Sequence, residues 1–348
     1  MKFNQLGNSE IQVSEICLGS MTWGTQNTEQ EGHSQINLAL EQGVNFIDSA
    51  EMYPTNPLSA DHAGATESVI GSWFAKTGRR SDVILATKVS GSGSKVVRQG
   101  APISSQTIRT AVEGSLERLQ TDYLDLYQLH WPNRGSYHFR QSWKFNPTSQ
   151  DVEQTKEHML DVLKVMQELV NEGKVRTIGL SNESCWGTAK FLSLAESMNL
   201  PRVVSVQNEY SLLDRKFDLD LAELSHNEKV GLLAFSPLAA GILSGKYQGD
   251  KTPAGSRRTF SENLGGRYSP HVVPVVDKYL QVAERYQLDP CQMSVAFCCS
   301  RPFMTSAIIG AVSEQQLTNS IKSCELNLSD EILTDLNDVH RQYPNPMG

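Results

Sequence analysis

The chain has 348 residues, enough for one large α/β domain or two average ones. Hydrophobic residues make up 39% and charged residues 20%, ordinary values for a soluble globular protein. The formal net charge of −8 argues against nucleic acid or an anionic membrane as the main partner, though a local basic pocket remains compatible with it.

The first stretch, MKFNQLGNSEIQVSEICLG, lacks the apolar core of a signal peptide. No run approaches the ~18 consecutive apolar residues of a membrane-spanning helix. Its turn signal, LGNSE, predicts that residues 1–14 form a hairpin closing the floor of a barrel. Eight short apolar runs follow, at 15–19, 44–50, 83–89, 123–130, 175–182, 203–211, 230–238 and 305–311. Most are too apolar to have a wet face, which is the pattern of parallel strands covered on both sides.

The segments between the runs read as helices. TIRTAVEGSLERLQ at 107–120 places Ile108, Val112, Leu116 and Leu119 at spacings of three and four. EHMLDVLKVMQELVNEGKV at 157–175 repeats the pattern with Leu160, Leu163, Met166 and Leu169, and Gly173 stands where a helix-ending glycine belongs. Eight strand–helix units in a chain longer than ~250 residues predict a closed (β/α)₈ TIM barrel, one domain over residues 1–348. An open doubly wound sheet is the alternative, but no G-x-G-x-x-G follows any run. Two long polar loops fall outside the repeat, 131–154 after the fourth run and 245–271 after the seventh, on the face where barrels carry their active sites.

The six cysteines are scattered, and only Cys298 and Cys299 adjoin, a poor spacing for zinc. The expectation is a cytoplasmic protein with free thiols and no bound metal.

Three consecutive runs end in polar residues: Asp48, Lys88 and His130. A charge at the end of an apolar strand is costly unless paired, and strands 2, 3 and 4 of a barrel lie side by side. Asp48 and Lys88 are therefore expected to pair, with Tyr53 leaning over them from the next loop and His130 completing the group. A nearby ammonium lowers a phenol's pKa from about 10, and a neutral histidine can orient a carbonyl oxygen. Such a set can protonate a carbonyl oxygen as hydride arrives at its carbon. Each residue alone is more economically read as a rim charge, a packing residue or a loop anchor.

With these motifs in place, the sequence resembles the aldo-keto reductase superfamily over essentially its whole length. GVNFIDSAEMY, LATKV, LQTDYLDLYQLHWP, GLSNES, VQNEYSLL, FSPLAAGILSGKY and IIGAVSEQQL occur in that family's order, and the detail is most similar to its bacterial Tas-type branch, which is related to potassium-channel β subunits. The resemblance implies NADPH-dependent reduction of a small-molecule aldehyde or ketone, with Tyr53 as general acid and Asp48, Lys88 and His130 beside it. It implies that Ser181, Asn182 and Gln207 hold the nicotinamide carboxamide and that Tyr210 stacks on the nicotinamide ring. Ser236, Pro237, Leu238, Ala239, Gly241 and Leu243 match a turn whose backbone lines the pyrophosphate, and Lys246 matches a phosphate-contacting lysine. Arg257 matches an arginine near the 2′-phosphate, with Arg258 a possible substitute. Gly310 opens the adenosine-side turn and Gln316 matches its amide contact. Asn319 and Ser320 replace a glutamate and an asparagine of the related pattern, and Val312 replaces a frequent hydroxyl. Fewer adenine-side contacts are expected there, and plain helix-surface polarity is an equal reading.

Trp23, Trp131 and the 131–154 loop are expected to line the substrate mouth, since they follow strands 1 and 4. Two other classes stand beside the reductase. One is a cofactor-sensing regulatory protein of the channel β-subunit type, against which His130 weighs, since those proteins have Asn there. The other is an aldolase using Lys88 as a Schiff-base nucleophile, against which the adjacent Asp48 weighs.

Overall fold

A computed structural model describes residues 1–347. The predicted hairpin is present: β1 (Phe3–Gln5) pairs antiparallel with β2 (Gln12–Ser14). The eight apolar runs become eight parallel strands: β3 (Ile16–Gly19), β4 (Phe46–Asp48), β5 (Ile84–Val89), β6 (Leu124–Leu129), β7 (Val175–Ser181), β8 (Val203–Glu209), β9 (Gly231–Phe235) and β10 (Met304–Ile309). They close on themselves, with β10 pairing both β9 and β3, so the open-sheet alternative does not apply.

Among the described residues ten α-helices surround the strands: α1 (Glu29–Glu41), α2 (Ala65–Thr77), α3 (Ser105–Leu119), α4 (Val152–Asn171), α5 (Cys185–Ser197), α6 (Asp220–Glu228), α7 (Val273–Arg285), α8 (Pro290–Cys299), α9 (Glu314–Ile321) and α10 (Asp330–Gln342). Local chemistry fixes several starts. Thr28 with Glu31 and Ser104 with Thr107 form capping boxes for α1 and α3, each satisfying two backbone N–H groups that a helix leaves free. Asp151 caps α4 through Gln154 N, so that helix starts at Val152 and takes the last residues of the expected loop. Gly173 ends it at φ +75°, as its position predicted.

Two apolar layers result. Between strands and helices lies the large core, which includes Ile16, Leu18, Ile47, Leu85, Tyr127 and Leu163. Inside the barrel, Leu6, Ile11 and Val13 of the hairpin pack on Cys17, Phe46, Ala86, Leu126, Val204, Leu233 and Ile308. The hairpin thus plugs the N-terminal end of the barrel. Side chains alternate along a strand, so two residues further on from this plug the inward positions are Asp48, Lys88, Gln128 and Phe235. Charge and amide groups therefore gather at one level of an otherwise apolar interior. Among the described residues no helix is long and apolar enough to cross a membrane.

Candidate active site

Asp48 and Lys88 form the buried pair, with Lys88 Nζ donating to Asp48 Oδ2 at 2.7 Å and to the Ser49 carbonyl at 2.7 Å. Lys88 is fully buried, so its partners decide its charge. Burial alone would lower its pKa, but Asp48, helped by Tyr53, outweighs this and holds it above the usual lysine value. Gln207 Nε2 donates to Asp48 Oδ1 at 2.7 Å, and Gln128 Nε2 lies 3.4 Å from the same oxygen. Both carboxylate oxygens are therefore engaged, which a buried charge requires.

Tyr53 reaches the pair from the loop after β4. Its hydroxyl is 3.5 Å from Lys88 Nζ, at the outer edge of hydrogen-bond reach. Lys88 Nζ also lies 4.8 Å from the tyrosine ring centroid. Burial raises the phenol's pKa more than the ammonium lowers it, so Tyr53 titrates above the ordinary value. That corrects the sequence expectation of a lowered pKa: the cation is nearby, but desolvation of the phenolate outweighs it.

His130 stands at the end of β6 with its ring edge-on to Tyr53, 5.8 Å between centroids and 73° between planes. Burial first, and the Lys88 charge second, hold its pKa well below the usual histidine value, so the ring is neutral. Its Nδ1 is buried without a hydrogen-bond partner among the described residues. The four polar residues of three consecutive strand ends are thus brought together as one group.

Ser181 and Asn182 lie beside it at the end of β7. Ser181 Oγ donates to the Gln207 carbonyl at 2.9 Å, and Asn182 Nδ2 donates to the His130 carbonyl at 2.9 Å. Asn182 adopts φ +51°, and its Oδ1 is a buried acceptor with no partner among the described residues. A buried amide oxygen without a donor fits a ligand carrying an N–H₂ group, as a carboxamide does. Further round the mouth, Ser236, Ala239, Ala240 and Gly241 all have positive φ, from +47° to +88°. The Ala239 and Leu243 side chains are buried in the core, so this turn, with Pro237 and Leu238, can offer a ligand mainly its backbone. Lys246 is exposed, and Gly310 faces open space where a side chain would stand. Arg257 has no ion pair or side-chain hydrogen bond among the described residues, and burial, with Arg267 adding to it, lowers its pKa to about 10.

Several expected positions are filled differently. Tyr210 is fully buried; its hydroxyl donates to Asp218 Oδ1 at 2.7 Å and its ring stacks on Phe297 at 6.3 Å. It has no open face for a nicotinamide ring. Phe235, at the end of β9, points into the barrel at the level of Asp48 and Lys88 and is only partly buried. Its signal was present in the sequence as the alternation from inward Leu233, and Gln128 was legible from His130 in the same way. Trp23 is also fully buried, with Nε1 donating to Gln35 on α1 at 3.1 Å and the ring against Gly32. It belongs to the strand–helix core and not to a substrate mouth. Trp131, half-buried, does stand at the mouth, 4.9 Å from the His130 ring.

Arg258 is buried and pairs with Asp250 Oδ1 at 2.7 Å, so it braces its own loop and is no substitute for Arg257. Ser320 is buried, and Asn319 bridges Gln292 and Asp289 at the start of α8. Both serve helix packing, which leaves little for an adenine. Gln316 turns its Oε1 onto the Val312 N–H at 3.2 Å. Among the described residues no group of His, Cys, Asp and Glu is placed to hold a metal ion.

The sequence model of the Aldo/keto reductase family matches residues 15–341. The chain is 41% identical to Protein tas of Escherichia coli (strain K12), over 99% of each chain. It is 32% identical to the uncharacterized oxidoreductase YrpG of Bacillus subtilis (strain 168), over 100% of this chain and 98% of that protein. An aldo-keto reductase of Babesia bovis is 34% identical over 77% of this chain and 99% of that protein.

Proposed function

The chain belongs to the aldo/keto reductase family, and on that premise we propose that it reduces aldehydes or ketones to alcohols with NADPH, Tyr53 serving as the general acid. The observation that carries this reading is the contact of Tyr53 with a buried, charged lysine beside a neutral histidine. NADPH, when bound, supplies the hydride.

The residues divide the remaining work. Tyr53 donates its phenolic proton to the carbonyl oxygen, and Lys88 stabilises the phenolate left behind. Asp48 keeps Lys88 charged and fixed, and Gln207 and Gln128 fix Asp48 in turn. His130 orients the carbonyl oxygen beside the phenol. Ser181 and the free Asn182 oxygen hold the carboxamide, and Phe235, in place of Tyr210, offers the apolar shelf for the ring. The turn at 236–243 lines the pyrophosphate, with Lys246 and Arg257 on the phosphates. An arginine without a protein partner suits a 2′-phosphate, which favours NADPH over NADH. A Schiff-base role for Lys88 is disfavoured, because its pKa is held up and a nucleophilic lysine needs it lowered.

An aldehyde and ketone panel followed by loss of NADPH absorbance tests the proposal. Protein-dependent oxidation of NADPH, faster than of NADH, is expected with at least one carbonyl. Tight NADP binding with no oxidation by any member would favour a sensing role instead.

A further inference from the structure

Phe139 and Arg140, in the loop between β6 and α4, are consecutive non-glycine residues at φ +56° and +61°. Left-handed backbone is unfavourable for a bulky side chain and persists only where the surroundings hold it. Here Arg140 Nη1 donates to Glu209 Oε2 at 2.8 Å. Glu209, the last residue of β8, also accepts from Arg267, at 2.5 Å on Oε1 and 3.1 Å on Oε2. Arg267 comes from the other long loop, whose Gly266 lies beside Arg140, so that a Cβ there would stand in ordinary van der Waals contact with Arg140 Cδ, at 3.4 Å. One carboxylate thus clasps both long loops.

What this clasp presents is a ring. Phe139 stands edge-on to Trp131, with 6.2 Å between centroids and 87° between planes. Trp131 is 4.9 Å from His130, and His130 is 5.8 Å from Tyr53. Four rings run without a break from the proton donor to the protein surface. Phe139 is nevertheless 46% exposed, so close to half of its surface stays open to a ligand. An exposed aromatic held on strained backbone by a partly buried ion pair serves contact with a ligand better than it serves stability.

We propose that Phe139 is a specificity-determining residue, forming with Trp131 an aromatic wall that selects carbonyl substrates bearing an aromatic or other flat apolar group, and that Glu209 positions it through Arg140. This rests on the carbonyl-reductase reading. Edge-to-face and offset contacts favour a flat ring over a short aliphatic chain at such a wall.

The test compares 2-naphthaldehyde with propanal, each with NADPH, in wild type, Phe139→Ala, Phe139→Tyr and Glu209→Gln. The ratio of the two kcat/KM values, naphthaldehyde over propanal, should fall about tenfold or more in Phe139→Ala. It should return close to wild type in Phe139→Tyr and fall by a smaller factor in Glu209→Gln. A ratio within about twofold of wild type in Phe139→Ala, or equal losses on both substrates, overturns the proposal. Calorimetric binding of 2-naphthalenemethanol to the NADP⁺-loaded protein gives a second reading, with about tenfold weaker binding expected for Phe139→Ala. If wild type oxidises no NADPH with any carbonyl, the reductase reading fails, and this binding comparison still decides the wall: equal or undetectable binding in both proteins overturns it.

Discussion

Tyr53 is acted on in opposite directions by burial and by Lys88, and burial is the larger effect. The phenol is therefore the form present at neutral pH, and the phenol is what protonates a carbonyl. Reduction should be flat from about pH 6 to 9 and fall only as the raised phenol pKa is passed. The reverse reaction, oxidation of an alcohol, needs the phenolate and should rise with pH over the same interval. His130 is held neutral by burial and by Lys88, so no step near pH 6.5 belongs in either profile. Stopped-flow rates of the hydride step across pH check this. A bell centred near neutrality that His130→Gln abolishes would contradict it. At this scale the sequence was partly legible. Polar residues ending apolar strands pointed to Asp48, Lys88 and His130, because apolar strands otherwise exclude them. Tyr210, expected to face a nicotinamide ring, is turned into the core instead, because a motif does not say which way a side chain points. Its burial against Phe297 and Asp218 is a matter of packing.

Among the elements, the β1–β2 hairpin is the clearest case of local sequence setting a tertiary contact. Gly7 turns the chain at φ +59°, and a Cβ there would lie 2.1 Å from the Val204 carbonyl oxygen. Only glycine allows the hairpin to seat Leu6, Ile11 and Val13 on the barrel floor. Gly7→Ala should destabilise the protein by about 1–3 kcal/mol, read as a lower urea midpoint at unchanged slope. An unchanged midpoint would mean that the plug contributes nothing to the fold. The hairpin and the helices were legible because turn residues and 3.6-residue periodicity are local signals. The long loops were legible only as loops. Their closure depends on Arg140 meeting Glu209 across 69 residues of chain, and no local pattern reports a pairing at that distance. The loop's exposed Phe139 gains meaning only once that pairing is seen.

For the molecule as a whole, the closed barrel followed from eight strands too apolar to have a wet face, since covering both sides leaves few other arrangements. What closure adds is convergence. Asp48, Lys88, Gln128, Gln207 and Phe235 come from five different strands and meet at one level above an apolar plug. Gln207's place at that level was not readable from its own strand, because the β7–β8 register shift changes the alternation before it. The barrel therefore does for the site what no single element does: it buries an ion pair and sets a phenol against it. Tyr53→Phe removes one oxygen from that arrangement and leaves its packing intact. In this variant, the turnover rate on the best carbonyl of the panel should fall by about a thousandfold or more, with NADPH affinity by fluorescence titration unchanged within about twofold. Turnover close to wild type in Tyr53→Phe, at normal NADPH affinity, would contradict the assignment of Tyr53 as the proton donor.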